Sequence, residues 1–247
     1  MTEIKTDAKS EAKSEAEIRA EICRVGQSLF ERGYVHATAG NISVKLGPEL
    51  GGGYLITPTD ACLGFLDPAR LARLDDAGLQ ISGDRASKTM AMHRQIYSAS
   101  AGSPTAARCI IHTHSTHCVA LTLSSLLGLV KNQQSAVTQE LLPALTPYFV
   151  MKVGHVPLIE YYRPGDAQAA LAVTAIISTY QTSGTPIRAV MLDRLGPNVW
   201  HDSPAAAMAV LEELEETAKL WHLSQGAASS LSQSNIAELR QTFGAFW

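Results

Sequence analysis

An apolar run that carries imidazoles at alternate positions has few ways to fold, and residues 109–118, Cys-Ile-Ile-His-Thr-His-Ser-Thr-His-Cys, form such a run. Side chains two apart in an extended chain project to the same side, so a strand here puts His112 and His114 on one face. Ile110 and Ile111 would bury the strand that aims them. Ser115 and Thr116 read as a helix start, with His117 in the first turn and a buried helix running from Thr116 to Leu129. Neutral imidazole is a common ligand for divalent metals. The pair is thus either two ligands of one cation or the polar edge of a core strand. A zinc that does chemistry needs a third protein ligand from elsewhere.

At 247 residues and 46% apolar content, the chain fits one large domain with ample core. Its 20 basic and 23 acidic residues leave a net charge of −3, without the basic stripe of a nucleic acid binder, so any phosphate affinity must be local. Cys23, Cys62, Cys109 and Cys118 form no CxxC pair and read as reduced thiols. The N-terminus lacks the apolar core of a secretory signal, and the longest apolar run, Cys118 to Val130, is too short and too rich in Ser and Thr to span a bilayer. The expectation is a soluble, cytoplasmic protein that engages neither nucleic acid nor membrane.

Residues 1–15 have almost nothing to bury and read as a solvated tail ahead of a domain over 16–224. Ile18, Ile22, Val25, Leu29 and Phe30 recur at helical spacing, with Gly33 as the stop. The small-residue loop Ala37 to Ser43, and the turn Thr57-Pro58-Thr59 at a strand end, leave N–H groups and hydroxyls free for an anion, or are ordinary turns. Asp67-Pro68 opens a short helix, and Asp75 to Gly78 reads as a hairpin turn. Ser87 and Lys88 stand at the start of a helix that turns Met92, Ile96 and Tyr97 inward, either as an anion site or as a plain cap beside a solvated lysine. His93 is a core or helix-face residue. Lys131 to Gln139 is a polar connection.

Tyr148–Val153 and Val156–Tyr161 read as strands, with His155 between them as a surface imidazole or a missing ligand. An Ala-rich helix over 167–180 and a strand Ile187–Leu192 follow. A long helix Ser203–Leu223 is capped by Ser203 with Pro204 first, and its Glu212, Glu213, Glu215 and Glu216 read as a solvated face. Residues 225–247 form a linker and a closing helix, whose Phe243, Phe246 and Trp247 need a surface on this domain or on a neighbouring subunit.

Across residues 18–222 the chain resembles the class II aldolase/adducin family. The matching pieces are Ala39-Gly40-Asn41-Ile42-Ser43, Thr57-Pro58-Thr59, the Ser87 helix start followed by His93, Ile111-His112-Thr113-His114, and Pro157 to Gly165. Leu63 to Pro68, Ser82-Gly83-Asp84, Ser87-Lys88, Tyr162 to Asp166 and Glu212 to Ala218 are similar to the branch that decarboxylates 3-oxo-tetronate 4-phosphates. The resemblance implies a single-domain α/β fold, with a central, mainly antiparallel sheet flanked by helices, assembled as a homotetramer. It implies a divalent metal, zinc first, held by three histidines. It also implies a sugar-acid phosphate substrate whose phosphate is bound by Asn41, Thr59 and Ser87; Lys88 adds a cation for the substrate's carboxylate or phosphate.

Three positions depart from the family's pattern. Thr89 stands where the family has a catalytic Glu, Arg194-Leu195-Gly196 where it has Asn-His-Gly with the third ligand, and Asp60 where it has a Gly. His155, His201 and Asp193 are the replacements for the missing ligand, His155 first. A positioned acid or base is worth about 10²–10⁴-fold, and Thr89 cannot supply it at neutral pH. Decarboxylation of a β-keto acid needs no base to begin, whereas retro-aldol cleavage does. The expected activity is therefore a metal-dependent decarboxylase, with Lys88 and Thr89 in the catalytic position. The alternatives are a sugar-phosphate aldolase or epimerase of the fuculose-phosphate type, or a non-catalytic, adducin-like binding protein.

Overall fold

The computed structural model describes residues 13–130 and 138–247; the tail over 1–15 and the connection over 131–139 fall largely outside the described residues. Eight strands, β1 (Asn41–Lys45), β2 (Tyr54–Ile56), β3 (Ala72–Leu74), β4 (Gln80–Ser82), β5 (Cys109–His112), β6 (Leu158–Ile159), β7 (Ala189–Leu192) and β8 (Gly196–His201), form one sheet. Their order is β4-β3-β2-β1-β5-β8-β7-β6, and only β6 and β7 run parallel. The histidine strand β5 is therefore central.

Among the described residues seven α-helices accompany the sheet: α1 (Glu15–Glu31), α2 (Met90–Ser100), α3 (Thr116–Leu123), α4 (Leu126–Val130), α5 (Ala167–Thr182), α6 (Pro204–Leu223) and α7 (Gln233–Phe243). Ser14 and Glu17 close a capping box on α1, Asp166 caps α5, and Ser203 accepts from Ala206 N to start α6 with Pro204 in its first turn. Alternation along the strands divides the core. Ile42, Val44, Cys109, Ile111 and Val199 meet α1, α3 and α6 on one face, while Ile56, Ile110, Val190 and Trp200 meet α2 and α5 on the other. His112 has the parity of Ile110 and so faces α2.

Several expectations are corrected. Tyr148–Val153 is not a strand: Phe149–Val153 is a π-helical turn, started by Thr146 Oγ1 accepting from Phe149 N and stopped at Gly154 (φ 78°). A short apolar run carries no period long enough to separate the two forms. Only Leu158 and Ile159 of the segment 156–161 pair as strand. The helix expected over 116–129 breaks at Ser124, the C-cap of α3, whose Oγ bonds back to Leu121 O. At the C-terminus, Ile236 of α7 is buried with Ala144 and Val150, while Trp247 stacks on His155 at 4.4 Å and meets Phe149 edge-on at 5.7 Å.

The acidic stripe of α6 is not uniformly solvated either. Glu215 is 3% exposed, and its carboxylate accepts from His117 N at 2.8 Å and Cys118 N at 3.0 Å, with His117 Nδ1 at 2.8 Å. It thus caps the first turn of α3, the helix that leaves the histidine strand. Burial alone would raise the Glu215 pKa, but the N–H of His117 and the donors of Cys118 outweigh it and hold the carboxyl below its ordinary value. Its contribution is present above the ordinary carboxylate range and is lost as pH falls through the lowered folded value. Glu215→Ala removes the His117 Nδ1 contact and two charge-assisted bonds from backbone N–H groups, the latter at roughly 1.5–3 kcal/mol each, so we expect a Tm lower by at least roughly 6–12 °C in calorimetry.

Candidate active site

Side-chain chemistry converges where β5 ends. Antiparallel register places Asn41 of β1 opposite His112, and His112 opposite Asn198 of β8, so three polar residues cross the sheet in a row. His112 is buried, and its Nδ1 lies 3.0 Å from Pro197 O. A carbonyl can only accept, so Nδ1 holds the proton and Nε2 keeps its lone pair. The His114 ring lies 5.1 Å from the His112 ring at 69°. Burial, then His114, lower the His112 pKa to about 4 against the pull of the Pro197 carbonyl; burial and His36 lower that of His114. Both rings are therefore neutral at pH 7, as metal ligation requires.

Two glycines let the backbone close around this pair. A Cβ on Gly196 would meet Thr113 O at 1.9 Å, and one on Gly40 (φ 85°) would meet His112 O at 2.9 Å and Val35 at 2.8 Å. The loop before β1 thus lies against one side of the histidine segment and the β7–β8 turn against the other. That loop carries a residue with no role in the sequence reading, His36, whose ring is 6.2 Å from that of His114 at 71°. The only prior signal for it was an imidazole three residues before Ala39-Gly40-Asn41.

The segments expected to bind phosphate also meet. Asn41 Nδ2 donates to Thr89 Oγ1 at 3.1 Å, and Ser87 Oγ lies 3.3 Å from the same oxygen. Ser87 N bonds to Thr57 O, and Thr59 N donates to Arg85 O at 2.8 Å. Asn41, the 57–59 turn and the start of α2 therefore form one cluster, with the exposed Lys88 at its rim. Beside it lies a cavity of about 450 Å³ lined by Thr59, Asp60, Arg70, Asp84 and Arg85 among others. Asp60 has φ 58°, the left-handed conformation that favours Gly and that Asp tolerates better than most residues. Arg194, where the family has Asn, is likewise left-handed at φ 60°.

Beneath the row, Ser43 Oγ lies 2.7 Å from both His93 Nδ1 and Tyr97 Oη. His93 is the core residue expected; burial, then the neighbouring His112, lower its pKa to about 3.

The replacements expected for the third ligand lie elsewhere. His155 is 3.1 Å from Glu140 and stacked on Trp247, and Tyr180 Oη donates to Glu140. His201 pairs with Cys109 at the other end of β5, and its Nδ1 accepts from Asp202 N. Asp193 does not continue the strand, because the chain turns at Arg194. Leu195 packs against the apolar cluster of α2 and α5 and lines a cavity of about 30 Å³ with Met92 and Tyr162. Among the described residues no three His, Cys, Asp or Glu side chains stand close enough together to hold a metal ion. The donor set present fits two positions: two imidazoles on one tetrahedral zinc, with bonds of about 2.0–2.1 Å, have ring centres roughly 5 Å apart, as His112 and His114 do.

Two measurements probe this arrangement. Gly196→Ala forces a Cβ into the Thr113 carbonyl, so we expect a protein that unfolds at markedly lower denaturant concentration, with its His112 and His114 imidazole NMR signals displaced. Separately, His93 and His112 bind protons at about 3 and 4 in the folded chain but near 6.5 unfolded. Between those values the unfolded state takes up more protons, so stability is lost as pH falls below 6.5. Calorimetry of metal-free protein should give a Tm that declines from pH 6.5 downward; a Tm flat from pH 6.5 to 5 would contradict the buried neutral imidazoles.

Residues 20–222 match the family described as Class II Aldolase and Adducin N-terminal domain. A protein named 3-oxo-tetronate 4-phosphate decarboxylase from Cupriavidus necator is 46% identical over 231 residues, 92% of this chain and 95% of the relative. One of the same name from Pectobacterium atrosepticum is 40% identical over 217 residues, 87% of this chain and 89% of its own. The crystal structure of YgbL from Escherichia coli superposes with a TM-score of 0.77 at 35% identity, covering 92% of this chain and all of that one. With its histidine strand, its Asn41–Ser87–Thr89 cluster and a match over most of its length, the chain belongs to the class II aldolase/adducin family.

Proposed function

We propose that the chain decarboxylates a 3-oxo-tetronate 4-phosphate, releasing carbon dioxide and leaving a dihydroxyacetone phosphate-type product. The observation that carries the reading is the pair of imidazoles 5.1 Å apart, one oriented by the Pro197 carbonyl, in line with the hydrogen-bonded cluster of Asn41, Ser87 and Thr89. The relatives named for this reaction support the substrate class.

Asn41, Thr59, Ser87 and Lys88 hold the phosphate and carboxylate ends through N–H groups, hydroxyls and one ammonium. As the bond from C2 to the carboxylate carbon breaks, carbon dioxide leaves, the electron pair enters the adjacent ketone to give an enediolate, and C2 then takes a proton from solvent water. A divalent metal at His112 and His114 would supply Lewis-acid stabilisation of that developing oxyanion, and zinc is the metal that an imidazole donor set suits. Thr89 Oγ1 accepts from Asn41 and Ser87, so its own proton is available to a substrate oxygen. It donates a hydrogen bond but cannot act as the base that a retro-aldol step needs, which favours decarboxylation over aldolase chemistry.

We take the unit over 16–224 as carrying the chemistry, residues 225–247 as closing it, and a homotetramer as the assembly. The four free thiols are consistent with the cytoplasm as compartment. In the structure no helix among the described residues is long and apolar enough to cross a membrane.

Zinc-loaded protein should release carbon dioxide from a 3-oxo-tetronate 4-phosphate, and His112→Ala should slow this by about 10²–10³-fold. Phosphate-ester binding without release would instead support the adducin-like binding protein, and aldehyde formation from a ketose phosphate would support an aldolase.

A further inference from the structure

We propose that the cavity beneath α7 is a second binding site, which takes a small organic carboxylate with an apolar body and a hydroxyl at its far end. It shares no lining residue with the cavity beside Thr59, and it does not depend on the decarboxylase reading.

The cavity has a volume of about 470 Å³, within the roughly 300–1,000 Å³ that small-molecule sites occupy. Two of its lining residues are buried polar side chains that the decarboxylation does not use. Glu140 accepts from Val156 N at 2.9 Å through Oε2 and from Tyr180 Oη through Oε1. His155 Nδ1 lies 3.1 Å from the same Oε1, and Trp247 stacks on the ring at 4.4 Å and 21°. Despite that contact, neither ring nitrogen makes an aligned hydrogen bond with a described residue. Leaving a buried polar atom unpaired is costly, and such atoms recur where a ligand or ordered water completes the site.

What remains unpaired sets the ligand's chemistry. With a carboxylate beside Nδ1, the imidazole proton belongs on that nitrogen and Nε2 is an acceptor, the partner of a hydroxyl. Glu140 already has three polar neighbours, which leaves little for an ammonium. At the exposed end of the cavity, Arg240 of α7 gives its carbonyl to Gly244 N at 3.0 Å, while its guanidinium pairs with no carboxylate among the described residues. Its planar fork suits a ligand carboxylate. The rest of the wall is mainly apolar, with Leu142, Pro143 and Ile236. That surface packs against a ring or a branched chain and offers few partners to the several hydroxyls of a sugar acid.

The probes are 4-hydroxybenzoate, benzoate and 4-hydroxybenzyl alcohol, titrated by calorimetry into the full chain, with the indole NMR signal of Trp247 reporting the place of binding. 4-Hydroxybenzoate should bind most tightly and displace that signal. Arg240→Ala, a change at an exposed side chain, should weaken both carboxylates by about tenfold or more and leave the alcohol as it was. His155→Gln should weaken 4-hydroxybenzoate more than benzoate; equal losses for the two would overturn the contact between hydroxyl and imidazole. Absence of binding, binding that leaves the Trp247 signal in place, or an Arg240→Ala chain that takes 4-hydroxybenzoate as the unaltered chain does overturns the proposal, whether or not the protein decarboxylates.

Discussion

The site depends on how tightly three backbone segments close around His112-Thr113-His114. Strand pairing holds β5 on both edges, yet pairing alone would leave the turn after β7 and the loop before β1 free to stand off. Gly196 and Gly40 remove that freedom by accepting contacts that no side chain permits: a Cβ there would stand 1.9 Å and 2.9 Å from the opposing carbonyl oxygens. Pro197, the next residue, then aims its carbonyl at His112 Nδ1. Ring orientation, tautomer and the direction of the free lone pair thus descend from one close packing of main chain on main chain.

Burying polar groups there has a cost, and the chain meets it in two ways. The imidazoles stay neutral, which spares the larger penalty of a buried charge. The hydroxyl of Ser43 bridges His93 and Tyr97; it has one proton, so one of its neighbours must donate to it. Asn41 Oδ1 and Thr113 Oγ1 are buried without a protein hydrogen bond, and both belong to residues in or beside the row that includes His112. Buried atoms of that kind recur where a structure accommodates a ligand or ordered water. The same burial that keeps the rings neutral leaves the His112 Nε2 lone pair unprotonated, the form in which an imidazole can ligate a metal.

Much of this was legible in the residue order. Alternation in Cys-Ile-Ile-His marks β5, although the strand ends at His112 and His114 lies in the segment beyond it; Ser203-Pro204 marks the start of α6, and the family motifs predict which loops meet. What escaped has a common cause. Glu215 is one of four similar carboxylates on a helix, and only the position of α3 distinguishes the one that turns inward. His155 sits at a junction whose strand-like residues curl into a π-helical turn, so its surroundings depend on packing with Glu140 and the chain's last residue. Asp60 and Arg194 look like losses of function in the sequence, whereas their backbones keep the left-handed turns that Gly and Asn favour. His36 carried no period and no motif; its proximity comes from the fold of the loop.

The order of strands has a consequence for the birth of the molecule. β5 lies between β1, completed long before it, and β8, whose Pro197 follows His112 by 85 residues. At about 5–20 residues per second of synthesis, roughly 4–17 s pass between the emergence of the two. Throughout that interval one flank of a strongly apolar segment lacks its mate, and His112 has no carbonyl to choose its tautomer. Until β8 arrives the nascent chain carries an unpaired apolar strand edge, open to association with copies of itself.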